Sequence, residues 1–344
     1  MSKNNGLVRV LRVVMPAVAV VCLVVLPPWD IVWAWLKPLP DSVQEQVEGA
    51  PGHGLDGIIV YVDKVGQKPA LYAAGWKNRE NRIPADPRAL FKIASIGKLY
   101  VAAAASKLVA DQRLSLDDTL AEHFPELVGR VENADTITLK MMLQHRSGIP
   151  NLTDHPDFPW GDPPKSPEAA LKYALDQPAD FEPGQSYAYS NTNYLLISEL
   201  LDRTLGYSHQ RFIKEEILTP LGLTHTFGSL KEVDLDEVMS GYAVGWEHDV
   251  KENNHGSMLA TAEDVGIFLR ALNDGSLLTE QEQSIYSSVY VYEHTGLVPG
   301  YQSIARYHED IDAVVVQFVS TNGGNAWTIS EVIYSRIIKI LRGQ

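Results

Sequence analysis

The chain reads as an α+β protein in which one antiparallel sheet is flanked by helices and interrupted by an inserted all-helical subdomain. Three observations predict this. Runs rich in β-branched and aromatic residues lie early, at 57–63 and 70–76. Three more, at 290–294, 302–308 and 311–320, lie late, and the stretch between the two groups carries helical patterns. The economical arrangement places both groups in one sheet, the sheet part covering about 57–94 and 255–344 and the helical part about 95–254.

Each element has a local reason. Lys64-Val65-Gly66-Gln67 suits a hairpin turn between the first two runs. An alanine-rich apolar segment after Ser95 predicts a buried helix. Helices are also expected from Leu114, over 138–145, over 167–177, over 193–205 and over 209–218. Residues 154–167, rich in Pro, Asp and Gly, form a loop. Thr261-Ala262-Glu263-Asp264 caps an amphipathic helix to about Leu272. A terminal helix is expected from about Ala326 to Arg342.

The 344 residues suffice for a large core, and 45% hydrophobic with 21% charged residues is an ordinary globular balance. A formal net charge of −14, with no basic run beyond the N-terminus, excludes a phosphate-binding surface and hence nucleic acid as a partner. Lys3, Arg9 and Arg12 precede the apolar run 13–26. Pro27-Pro28-Trp29-Asp30 and a second apolar patch, 31–36, follow. The basic flank and the tryptophans predict an N-terminal membrane anchor over 1–37, with a cleaved signal as the alternative. Residues 38–56 are then a polar linker, and the folded domain, 57–344, lies outside the cytoplasmic membrane. Cys22, the only cysteine, sits inside the apolar run and follows Val21 rather than a small residue, which argues against lipidation.

Three motifs carry chemistry. Ser95 and Lys98 share one face of a helical first turn, where burial depresses an amine's pKa and makes it a base for the hydroxyl. A Pro-Gly turn, Phe181-Glu182-Pro183-Gly184, leads into Tyr189-Ser190-Asn191. A phenol there can share the serine proton, and the amide can bind the lysine or a substrate. His294-Thr295-Gly296 ends a predicted strand, where Gly296 admits close backbone approach and the next N–H, on Leu297, can face an oxyanion. His145, Glu182 and Arg306 are read as a structural hydrogen-bonding residue, a solvated turn residue and an exposed strand residue. No His or Cys pair stands at metal-ligand spacing, so no metal or cofactor is expected.

In this order, the motifs resemble those of the serine β-lactamase and penicillin-binding-protein superfamily: Ser-x-x-Lys, then Ser/Tyr-x-Asn, then Lys-Thr-Gly. The Tyr-x-Asn form is similar to the branch holding class C β-lactamases, D-aminopeptidases, carboxypeptidases and esterases. Leu143-Gln144-His145-Arg146-Ser147-Gly148-Ile149 resembles a further segment of that branch. The resemblance implies a β-lactamase/transpeptidase-like fold from about Gly57 to the C-terminus. It implies Ser95 as nucleophile, Lys98 as its base or proton carrier, and Tyr189 as the partner base. Asn191, His294, Thr295, Gly296 and Leu297 would bind substrate, with the N–H groups of Ser95 and Leu297 as the oxyanion hole.

One departure matters: His294 stands where the third motif has lysine. A histidine near its ordinary pKa is mostly neutral at pH 7, so an anionic β-lactam or peptide C-terminus is held less firmly. Turnover is expected to respond to pH across the histidine range. The expected function is an exported serine hydrolase of the cell envelope, cleaving an amide or ester of a small molecule or peptide through an acyl-enzyme on Ser95. The competing expectation is a slowly acylated, non-hydrolytic binder of penicillin or cell-wall peptides.

Overall fold

In the computed structural model, residues 4–344 are described, with side chains from Leu11 onward; Lys3 of the basic flank lies outside the described residues. The helices, in chain order, are α1 (Asn4–Val25), α2 (Trp29–Leu36), α3 (Val43–Glu48), α4 (Gly97–Ala110), α5 (Leu120–His123) and α6 (Leu139–Leu143). They continue with α7 (Pro167–Leu171), α8 (Asn191–Leu205), α9 (His209–Ile213), α10 (Ala262–Asn273), α11 (Glu280–Val289) and α12 (Ala326–Gly343). The strands are β1 (Gly57–Lys64), β2 (Ala70–Asn78), β3 (Ile83–Pro84), β4 (Phe91–Lys92), β5 (Thr226–Phe227) and β6 (Tyr242–Ala243). After them come β7 (Leu259–Ala260), β8 (His294–Val298), β9 (Tyr301–His308), β10 (Ala313–Val319) and β11 (Thr321–Asn322).

Both strand groups lie in one six-stranded sheet of order β3-β2-β1-β10-β9-β8. Early and late chain meet where β1 pairs antiparallel with β10, Ile59 opposite Phe318 and Tyr61 opposite Val316. The sheet is covered on both faces. Ile59, Tyr61, Val316 and Phe318 pack toward the helical body, whereas Ile58, Val60, Val62 and Val315 pack toward α12. That double burial explains why β1 is a nearly continuous apolar run instead of an alternating one. Gly266 of α10 is dictated by this packing, because a Cβ there would lie 2.1 Å from the Tyr61 ring.

α4 is the axis of the helical body. Its alanines 102–105 are fully buried, their small side chains letting α8, α9 and α11 approach closely. The short strand ahead of it is tied to the main sheet by Phe91, which stacks on Phe318 at 4.5 Å between ring centroids.

Several boundaries differ from expectation. The strand predicted at 290–294 begins only at His294, because Tyr290 closes α11, a helix the sequence reading missed although Thr279 and Glu282 form a reciprocal cap. The helix expected from Leu114 is reduced to α5, and that over 167–177 ends at Leu171. Residues 38–56 are not a free linker. Val43, Val47 and Ala50 are buried against the sheet and α12, and the Arg336 guanidinium donates to Lys37 O (2.8 Å), Pro38 O (2.6 Å) and Gln46 Oε1 (2.7 Å). The apolar N-terminus is also broken. α1 and α2 meet at 73°, and among the described residues no single helix is long and apolar enough to cross a membrane.

Candidate active site

Ser95 sits in a single 3-10 turn, Ala94–Ile96, that feeds directly into α4. Three neighbours clamp this turn. Ile93 N–H donates to Met258 O at 3.1 Å, Ala94 N–H to Ser257 Oγ at 2.8 Å, and Ser303 Oγ–H to Ile93 O at 3.2 Å. They hold Ala94 at φ +50°, an unfavourable conformation for a residue with a Cβ and one of the few places where this backbone stores strain. Gly296 is required at the same place, since a Cβ on it would lie 2.4 Å from Ile93 O and 3.1 Å from Ala94 Cβ. The β8 backbone, carrying Thr295, Gly296 and Leu297, therefore runs against the nucleophile turn. β8 is the edge strand of the sheet, which leaves outward-facing backbone groups free of sheet partners.

Four predicted side chains converge. Tyr189 O–H donates to Ser95 Oγ at 2.7 Å, Lys98 Nζ lies 3.1 Å from the same oxygen, and Lys98 Nζ donates to Asn191 Oδ1 at 2.8 Å. Burial pushes the Lys98 ammonium down to about 7 and the Tyr189 phenol up to about 12. A neutral Lys98 amine offers its lone pair to the Ser95 hydroxyl while one N–H stays on Asn191, and Tyr189 keeps its proton to donate. The geometry and these directions describe a serine whose proton has a base on one side and whose oxygen has a donor on the other.

The supporting contacts explain the placement. Asn191 opens α8; its N–H donates to Asn151 Oδ1 at 2.9 Å and its Nδ2–H to Thr153 Oγ1 at 2.9 Å. His145 accepts the Ser190 N–H on Nδ1 at 3.1 Å and lies beneath Tyr189, ring centroids 4.4 Å apart. Burial holds its pKa down at about 3, so it is a neutral spacer that positions the Tyr189-Ser190-Asn191 turn. Glu182 is exposed, and Arg306 faces Glu293 at 3.6 Å.

His294 departs from expectation. Its Nδ1 faces Thr295 O, which can only accept, so the ring proton is there; Nε2 then accepts from Tyr290 O–H at 2.9 Å. With both nitrogens engaged and burial lowering its pKa to about 4, the ring stays neutral through the ordinary histidine range. The expected inflection from His294 near neutrality is therefore not supported, because desolvation outweighs every group that would favour the cation.

Sequence reasoning missed Asn151, Thr153, Ser257, Tyr290 and Lys92. Lys92 had a legible signal: it is a lone charge within Leu90-Phe91-Lys92-Ile93. It is 2% exposed and donates to Val250 O at 3.0 Å and Asn253 O at 2.7 Å. It thereby fixes the 249–257 segment, which supplies Ser257 to the nucleophile turn. The same segment reaches the 154–167 loop, through Asn253 Nδ2–H to Gly161 O at 3.2 Å and His255 Nε2–H to Trp160 O at 3.1 Å.

Sheet, helical body and the Ser–Lys–Tyr–Asn cluster together define a serine-hydrolase architecture. The sequence profile described as Beta-lactamase matches residues 43–290, and the chain belongs to that family. It is 26% identical over 194 residues to Protein flp of Staphylococcus aureus (strain COL), covering 55% of this chain and 39% of that protein, so it spans less than half the length of this relative. The fold is similar to that of D-amino acid amidase from Ochrobactrum anthropi SV3 complexed with L-phenylalanine, with TM-score 0.76, 21% identity, and coverage of 88% of this chain and 98% of that one. It is also similar to a class C beta lactamase from Rhodobacter sphaeroides, with TM-score 0.68, 19% identity, and coverage of 88% and 100%.

Proposed function

We propose that this protein is an exported, membrane-tethered serine hydrolase that opens an amide or ester lacking a nearby carboxylate, through an acyl-enzyme on Ser95. The observation that carries this is the simultaneous contact of Ser95 Oγ with Lys98 Nζ and the Tyr189 hydroxyl. Lys98 removes the Ser95 proton as Oγ attacks the carbonyl carbon. The oxyanion is met by backbone N–H groups of Ser95 and Leu297. The proton returns from Lys98, by way of Tyr189, to the departing amine or alcohol. Water then attacks the acyl carbon as its proton passes to the Tyr189–Lys98 pair, the acyl C–Oγ bond breaks to release the acid, and that proton is returned to Ser95 Oγ.

The neutral His294 supports the substrate class. A lysine in its place would offer a permanent charge to an anionic carboxylate, whereas this imidazole is already spent on Tyr290 and Thr295. Likeness in fold to a D-amino acid amidase fits an amino-acid amide or a small ester. The apolar helix α1 supports a membrane location, its Val13, Val18, Val20, Leu23 and Val25 all lying exposed.

The test is parallel trapping with a fluorophosphonate and a labelled penicillin, followed by peptide mapping, alongside turnover of a D-aminoacyl amide, a nitrophenyl ester and a cephalosporin. Expected are fluorophosphonate on Ser95 and turnover of the amide or ester, with the cephalosporin poorly used. Label on another residue removes the assigned nucleophile; stable penicilloylation of Ser95 without turnover of any substrate favours a binding protein.

A further inference from the structure

Helix α2 follows α1 across the Pro27-Pro28 corner. It is fixed to the folded domain along one side: Ala34 is buried, Ile31 packs into the core beneath α12, and Asn325 Nδ2–H donates to Asp30 Oδ2 at 2.8 Å. Immediately after it, the Arg336 clamp on Lys37 O and Pro38 O leaves no slack before α3. The opposite side carries Trp29, Trp33 and Leu36 at helical spacing, exposed by 42, 59 and 55%, and Trp35, on the flank next to Ile31, is 64% exposed. A helix face bound for water carries polar groups, and this one carries two indoles and a leucine, with a third indole on its flank.

The preceding helix identifies the occupant as lipid. α1 runs directly into α2 and exposes valine and leucine on all sides. The uncharged run 13–26 rises roughly 21 Å at 1.5 Å per residue, short of a hydrocarbon core of about 30 Å. The bend of 73° then turns the chain aside, and the Trp29 indole N–H holds that corner closed on Val24 O at 2.6 Å. Tryptophan is the residue favoured at headgroup depth, where an apolar ring and an N–H are both satisfied.

We propose that α2 is an in-plane bilayer seat. It lies in the headgroup layer with Trp29, Trp33, Trp35 and Leu36 facing lipid. Being packed on α12, it holds the catalytic domain flush against the membrane instead of on a flexible stalk. This rests on the membrane location proposed above and adds to it a fixed standing height, so that the bonds within reach are those presented close to the lipid surface.

The single native cysteine makes a clean test. In the full chain carrying Cys22→Ser, a nitroxide is attached at Trp33→Cys or Trp35→Cys and, as a remote control, at Val128→Cys, which is 57% exposed. Each protein is reconstituted into phosphatidylethanolamine–phosphatidylglycerol vesicles. Power saturation then compares collision with oxygen, which concentrates in lipid, and with a water-soluble nickel chelate. The expected result is an oxygen-to-nickel accessibility ratio several-fold higher at 33 and 35 than at 128. Vesicle-bound protein with water-accessible labels at 33 and 35 overturns the seat and leaves the anchor standing. Protein that does not sediment with vesicles overturns both. A label shielded only at high protein density, with spin–spin broadening, overturns the lipid in favour of a second copy of the chain.

Discussion

Lys98 and Lys92 stand six residues apart on either side of the nucleophile, and burial pushes both ammonium groups down to about 7. Their partners differ. Lys98 faces a hydroxyl and an amide oxygen, and the hydroxyl can give up a proton to it. Lys92 faces two backbone carbonyls that can only accept, so in either protonation state it donates to both and has no neighbouring proton to take. Equal desolvation therefore yields a base in one place and a fastener in the other. What distinguishes a catalytic buried amine is whether its neighbours can exchange a proton with it, and the size of the shift alone does not tell.

The sharpest baseline for this comparison is Ser95→Ala, which leaves both lysines in place. Turnover of a nitrophenyl ester should fall by about 10⁴–10⁶-fold with an unchanged circular dichroism spectrum. Next, the two lysines should separate when each becomes methionine. Lys98→Met should lower kcat by about 10³–10⁴-fold and yet raise Tm, because a buried amine with a depressed pKa is replaced by an apolar chain of similar length. Lys92→Met should lower Tm, since the carbonyls of Val250 and Asn253 lose their donor, and cut kcat/KM by about 10–10²-fold through the displaced 249–257 segment, with Lys92→Arg retaining part of both. Calorimetry showing the same sign for the two methionine variants breaks the comparison.

Gly296→Ala drives a new Cβ against the Ile93 carbonyl at the nucleophile turn, and urea denaturation should report a loss of about 1–3 kcal/mol. The smallest effect is in pH. As the free base is the working form of Lys98, kcat/KM should rise through about pH 7, and His294→Asn should leave that midpoint in place. Stability should also rise with pH from about 7 toward the free-lysine pKa of about 10.4. Over that window the unfolded chain holds protons that folded Lys92 and Lys98 have released; below it both states are protonated and the penalty of burial is fully present. Thermal melts across this range that fall with rising pH would contradict the depressed values.

Much of the cluster was legible because its members lie at fixed local spacings. Ser95 and Lys98 share a helical turn, Tyr189 and Asn191 bracket a helix start, and β-branched runs announce β1, β9 and β10. What escaped was set by long-range contact. Lys92 looks like any strand lysine until 249–257 closes over it. Asn151 and Thr153 act only through Asn191. His294 loses its titration near neutrality only because Tyr290 and the fold strip it of water, and 38–56 is no free linker only because Arg336 of α12 holds its start.

The sequence by itself determined the order of elements, the antiparallel sheet with its helical insertion, and the identity of the serine, lysine, tyrosine and asparagine. Spacing and side-chain chemistry are local properties and survive without coordinates. Only the tertiary structure decided which ionisable groups are stripped of water and by whom they are faced, and hence their protonation. It alone also decided that the indoles of α2 point away from the domain that holds them, because burial and orientation belong to contacts between segments that the linear chain keeps far apart.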